Sequence, residues 1–178
     1  MTGILRFIGL ANAAVWLGGA IFYTIGFAPV LLSQDIVTVL GPKNFPYFSG
    51  AIAQVALQRY FYLQLTCASV ALLHGVVEWL YLGRLPRRFW TYLLVVLFWG
   101  SAAGSFWLGP KLRNLHRTQH LVKAAPGQRE AAGKSFHTWQ GVFQGLNVLM
   151  LAGVAVYFWR AANPPDELRF VGSAKIRG

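Results

Sequence analysis

The chain has 178 residues, of which 56% are hydrophobic and only 12% charged, and its net charge is +11. Such an excess of apolar side chains in a chain of one-domain length excludes a water-soluble globule and a disordered segment, and places most of the molecule in lipid. Cys67 is the only cysteine, so neither an intrachain disulfide nor a thiolate metal cluster can be built, and it reads as a small buried residue of a membrane helix.

The stretch from Phe89 to Pro110 carries no charged residue, and other stretches nearly match it. About 20 apolar residues let an α-helix cross a hydrocarbon core about 30 Å thick. Lipid cannot satisfy backbone polar groups, so each crossing must be a helix or part of a closed barrel. The apolar runs are continuous rather than alternating, which rules against barrel strands. The expected fold is all-α: an integral-membrane four-helix bundle with a polar helical extension between spans three and four. Residues 1–163 form the four-span domain and residues 164–178 a polar C-terminal tail.

Span one is expected from Leu5 to Leu32, with Pro29 kinking or breaking it near its end. It is too long for the apolar region of a signal peptide and reads as a retained span. Gly41 to Ser49 reads as a turn followed by an interfacial piece that sets Tyr47 and Phe48 at headgroup depth. Span two is expected from Val55 to Leu82, with Arg59 snorkelling near its start. The basic turn Arg84 to Arg88 leads to span three, Phe89 to Leu108, and Gly109-Pro110 mark its exit. Residues 111–136 form a polar insertion divided by Pro126-Gly127, both pieces helical, and span four follows from His137 to Trp159.

The basic residues lie in the connections, where they meet anionic lipid headgroups; this replaces nucleic acid as the partner implied by the charge. Arg6, Arg84, Arg87, Arg88, Arg160, Arg169, Lys175 and Arg177 lie on one side. Lys43, Arg59 and the six basic residues of the insertion lie on the other. The totals tie. The density of the short turn before span three favours termini in the cytoplasm, and the expected location is the bacterial inner membrane.

Several polar groups fall inside the spans. His74 and Glu78 are four residues apart and share a helix face. Ionisable groups within a span are costly and are candidate functional sites, although Glu78 also lies close enough to Arg84 to serve as an anchor. Gln140, Gln144 and Asn147 fall on one stripe of span four; such a stripe is expected to face protein, with Gln140 bonding to a polar group such as Arg59. Gly100 and Gly104, and again Gly141 and Gly145, are small residues four apart that let helices approach closely, within the bundle or between copies. His116 and His120 have a metal-ligand spacing but no nearby carboxylate or thiolate, so they read as part of a solvated basic hairpin. His74 and His137 lie near opposite membrane faces, so no pair of histidines brackets a haem, and a haem held by His74 alone is the remaining redox option. No phosphate-binding loop, zinc-protease motif or inverted repeat occurs.

Trp16-Leu17-Gly18-Gly19 with Phe22 and Ala28-Pro29, then Arg59-Tyr60-Phe61, then Trp107 to Lys111, and finally Phe136, Trp139-Gln140-Gly141 and Asn147 occur in this order. In this order the chain resembles the transmembrane protein 205-like family, across roughly residues 10 to 160. The resemblance implies a four-helix membrane fold and no assigned activity. That family carries a histidine where this chain has Gln140. The functional expectation is a non-enzymatic, multi-pass membrane protein without a cofactor, an assembly or accessory subunit with membrane-protein partners or copies of itself. The alternatives are a small transporter or channel-like carrier, and a haem- or quinone-linked redox protein.

Overall fold

The computed structural model describes residues 2–31, 33–82, 88–121 and 123–163. Four helical runs are long and apolar enough to cross a membrane: Gly3–Val30, Phe45–Leu80, Arg88–Gln119 and Pro126–Ala162. No strand occurs among the described residues. The protein is an all-α, multi-pass membrane protein. Arg84 and Arg87 of the basic turn, and the tail from residue 164, lie outside the described residues.

Span one is α1 (Thr2–Ile21), a wider π-helical stretch (Phe22–Phe27) and α2 (Ala28–Val30); a short helix, α3 (Gln34–Leu40), follows. Span two is α4 (Phe45–Leu82). Span three is α5 (Arg88–Ala103), which passes through a second π-helical stretch (Gly104–Leu108) into α6 (Gly109–Gln119). Span four is α7 (Pro126–Ala162). Packing runs in a ring: α1 against α4 and α7, and α5 against α4 and α7, while α6 leans on α4 and α7. Each span is thus antiparallel to both neighbours, the up-and-down arrangement that short connections favour.

Pro29 and Pro110, the prolines well inside a span, each follow a π-helical stretch by one residue. The Ala28 amide reaches back to the Tyr23 carbonyl just before Pro29, and the Gly109 amide to the Gly104 carbonyl just before Pro110. A proline ring clashes with the carbonyl four residues back and supplies no N–H. One widened turn absorbs that misfit within the helix, as π-bulges do. Gly109-Pro110 therefore does not break the helix, which runs on to Gln119 as the expected polar extension of span three.

Two boundaries change. Pro46 falls in the first turn of α4, where its missing N–H costs nothing, so Tyr47 and Phe48 belong to α4 itself and not to a separate interfacial piece. Gly41, at φ +75°, makes the turn before it. The insertion forms helices as expected, but not as an isolated hairpin: α6 and the first turns of α7 pack with the start of α4 into a three-helix stub.

Tryptophans mark the two membrane boundaries. Trp79, Trp90 and Trp159 lie towards one end, and Trp107 and Trp139 towards the other. At about 1.5 Å per residue, Trp139 to Trp159 covers about 30 Å and Trp90 to Trp107 about 26 Å, close to the hydrocarbon thickness. A cation sits on each boundary: Lys111 Nζ lies 3.6 Å from the Trp139 ring centre and 4.9 Å from that of Trp107, and the Arg160 guanidinium lies 5.6 Å from Trp90. Between them the core has two halves. One gathers Ala13, Trp16, Cys67, Ala71, Leu97 and Val154; the other gathers Ala20, Leu57, Tyr60, Phe61, Leu108 and Leu112.

With four crossings, positions at the two ends of α7 must lie on opposite sides of the membrane. Reporter fusions after Ala125 and after Asn163 are expected to report opposite compartments. The same compartment for both would remove one of the spans.

Candidate functional site

The buried polar residues converge at two levels. Near mid-membrane, Asn147 of α7 is 6% exposed. The Tyr60 hydroxyl donates to its Oδ1 at 2.6 Å, and its amide donates to Thr24 Oγ1 at 2.7 Å. This chain ties spans one, two and four across the bundle axis. The Tyr60 ring stacks on Tyr23, with centres 4.2 Å apart and planes 6° from parallel. Thr24 and Tyr23 both lie in the π-helical stretch of span one. Gln64, one turn beyond Tyr60, is buried as well. Closer to the other boundary, the Asn12 amide donates to the Cys67 carbonyl at 2.9 Å. At the level of Tyr60, Ser105, in the second π-helical stretch, donates to the Phe61 carbonyl at 3.2 Å. The Trp16 indole N–H is buried without a hydrogen-bond partner among the described residues, and its ring meets Tyr157 edge-on at 6.0 Å.

Two histidines clasp helix pairs at opposite ends of α4. His74 Nε2 lies 2.8 Å from the Leu5 carbonyl of α1, and its ring covers Gly9. His116 Nε2 of α6 lies 3.2 Å from the Tyr47 carbonyl of α4, and its ring covers Gly50. A carbonyl can only accept, so in each case Nε2 carries the proton and donates. Each ring reaches the backbone of the other helix because the residue facing it is glycine. His116 is thus buried between helices, also flanked by Phe136, and is not part of a solvated hairpin as the sequence reading had it. His120 turns back to donate through Nδ1 to the His116 carbonyl at 3.0 Å. Among the described residues no three metal-ligating side chains come together.

Of the remaining sequence candidates, Glu78 is exposed. Arg59 is exposed on α4, beside span one and not beside Gln140. Gln140 is half-buried and hydrogen-bonds to none of the described residues, and Gln144 is exposed, so only Asn147 of the proposed stripe reaches the interior. The cause is angular. The buried line of α7 runs through Ala132, Phe136, Phe143, Asn147, Leu151 and Val154. At 3.6 residues per turn Gln144 lies roughly 80° away from Phe136 and Val154 around the helix.

The glycines divide in the same way. A Cβ on Gly100 would lie 2.7 Å from Met150 Sδ, and one on Gly104 would lie 2.5 Å from the Phe61 ring. At Gly141 and Gly145 a Cβ would meet nothing within 4 Å, so these two do not take the packing role inside the bundle that their spacing suggested. In the sequence Thr24, Gly9 and Ser105 look like ordinary components of apolar helices, and Gly50 like part of the turn before span two. Only the position of a glycine opposite a histidine on a neighbouring helix, invisible within one segment, distinguishes them.

Most of these groups hydrogen-bond to side chains or backbone carbonyls of neighbouring helices. The chain belongs to the family defined by a domain of unknown function, DUF4149, whose model matches residues 12–120: spans one to three with their extension. Neither a curated protein nor a solved structure matches it.

Two variants test this packing. Tyr60→Phe leaves the Asn147 carbonyl oxygen without its donor and is expected to cost about 0.6–2 kcal/mol, the range for hydrogen bonds between membrane helices. Gly104→Leu forces a side chain into the buried Phe61 ring and is expected to cost about 1–3 kcal/mol, as overpacking does. Unfolding in mixed micelles measures both; wild-type stability in either variant would contradict the corresponding contact.

Proposed function

We propose that this protein is a non-enzymatic subunit or assembly element of a complex in the inner membrane of a bacterium, within the transmembrane protein 205-like group of its family. The observation that carries this reading is the outward face of α7. His137, Gly141, Gln144, Gly145 and Val148 are exposed and share one stripe. Gln144 lies five residues beyond Trp139, about 7.5 Å towards the membrane interior. An amide left against hydrocarbon is costly, and a neighbouring helix is the natural donor and acceptor for it. Gly141 and Gly145 flank it with open space on their Cα side, which lets a second backbone approach closely. The interior polar groups support the same reading, because Thr24, Asn147 and Tyr60 are bonded to one another. The partner is a transmembrane helix of another copy or of another membrane protein, seated along this stripe.

The test is association in gentle detergent and in native membranes. Gly141→Leu, Gly145→Leu and Gln144→Leu are expected to weaken copurification and cross-linking about tenfold, near the upper part of the range for such contacts. Because none of these side chains is packed inside the bundle, thermal stability should stay at the wild-type value. Undiminished association in all three variants would leave the assembly reading without support.

A further inference from the structure

Between spans one and two, on the side of the bundle that faces lipid, a groove with a volume of about 300 Å³ is lined by Gly19, Phe22, Tyr23, Phe27, Ala56 and Leu63, with Arg59 and Tyr60. Its walls follow from local structure. The π-helical stretch Phe22–Phe27 supplies the rings of Phe22, Tyr23 and Phe27 on the side of span one. The stacked Tyr23 and Tyr60 rings form the back. Gly19 admits Leu63, to which a Cβ would stand at 2.6 Å, and this closes the inner end.

We propose that this groove holds one acyl chain of an anionic glycerophospholipid whose phosphate pairs with Arg59. Depth supports this. Arg59 is 20 residues from Trp79 along α4, about 30 Å, which sets it at the opposite membrane boundary. Below Arg59 the groove descends along α4 to Leu63, four residues or about 6 Å, which takes it into the hydrocarbon of one leaflet. Charge supports it as well. Arg59 is exposed and has no carboxylate partner among the described residues, whereas Lys134 of the stub pairs with Glu130. A guanidinium at the headgroup level without a protein counterion selects a phosphate, which its planar fork binds in two-point fashion. The apolar wall below it selects a chain attached to that phosphate. The site uses α1 and α4, so it stands independently of the α7 face.

The test titrates delipidated protein in detergent with dioleoyl phosphatidylglycerol or dioleoyl phosphatidylcholine and counts bound lipids by native mass spectrometry. Wild type is expected to bind the first lipid of the anionic species about fivefold more tightly, the worth of one cation near a charged headgroup. Arg59→Gln should abolish that preference, whereas Arg117→Gln, an exposed cation of the stub, should keep it. Ala56→Trp fills the groove and should lower binding of both lipids at the first site. Equal affinity for the two lipids in wild type would overturn the proposal. So would an equal loss in the Arg59 and Arg117 variants, which would assign the preference to net charge. Cross-linking of a second copy through Ala56→Cys in native membranes would assign the groove to a protein partner instead.

Discussion

Inside hydrocarbon, a polar group that has no protein partner has no partner at all, and most local choices in this bundle follow from that. The backbone meets the requirement by remaining helical through both prolines. A wider turn before Pro29 and another before Pro110 keep the spans continuous where a break would strand several amides and carbonyls in lipid. The side chains meet it by convergence: Asn147, Tyr60 and Thr24 come from three spans and join in one chain of bonds. Where a lone hydroxyl lies in an apolar helix, it turns back on its own turn, as Thr66 does to the Tyr62 carbonyl and Ser101 to the Leu97 carbonyl.

Close approach is the second requirement, because lipid offers no hydrophobic gain for bringing helices together. Small residues therefore stand wherever a large one must be received. Gly9 receives His74, Gly50 receives His116, Gly104 receives Phe61 and Gly153 receives Leu97. The two histidine clasps combine both requirements, since each ring fills the space above a glycine and hydrogen-bonds to a carbonyl beside it. Their positions at opposite ends of α4 lock that helix to α1 at one boundary and to α6 at the other. The π-helical stretches serve packing as well: Thr24 and Tyr23 occupy one, Ser105 the other, and both stretches aim polar atoms inward.

Span number and helical class were legible in the sequence because length and apolarity alone decide them. The continuation of helix through residues 111–119 and 126–136 was legible from composition. Helix ends were not, because proline ordinarily marks a boundary and the widened turn that cancels its effect has no residue signature. The facing of α7 was half legible. Asn147 could be assigned inward because of its polarity, but Gln144 has the same polarity and lies only three residues away. The direction that distinguishes them is fixed by Phe136, Phe143 and Val154 packing against the other spans. Gly141 and Gly145 followed Gln144 outward for the same reason. His116 was misread because its two partners, the Tyr47 carbonyl and the space above Gly50, are separated from it by more than sixty residues.

The Trp16 indole N–H and Gln119 Oε1 are buried without a hydrogen-bond partner among the described residues, and two further polar groups point outward. Gln144 faces lipid between two glycines on α7, and Arg59 stands at the boundary on α4 beside the groove of span one. Other cations at that depth are already engaged: Lys111 lies over Trp107 and Trp139, and Arg113 donates to Gln58 at 3.2 Å. Arg59 has equally suitable aromatic rings nearby in sequence, Tyr60 and Phe61, but both are buried in the core and leave its guanidinium to the headgroup layer. The protein thus presents an amide flanked by small residues on one face and a guanidinium above an apolar groove on another. The first is complementary to a helix and the second to an anionic lipid, so the two surfaces differ in the chemistry of what they can hold.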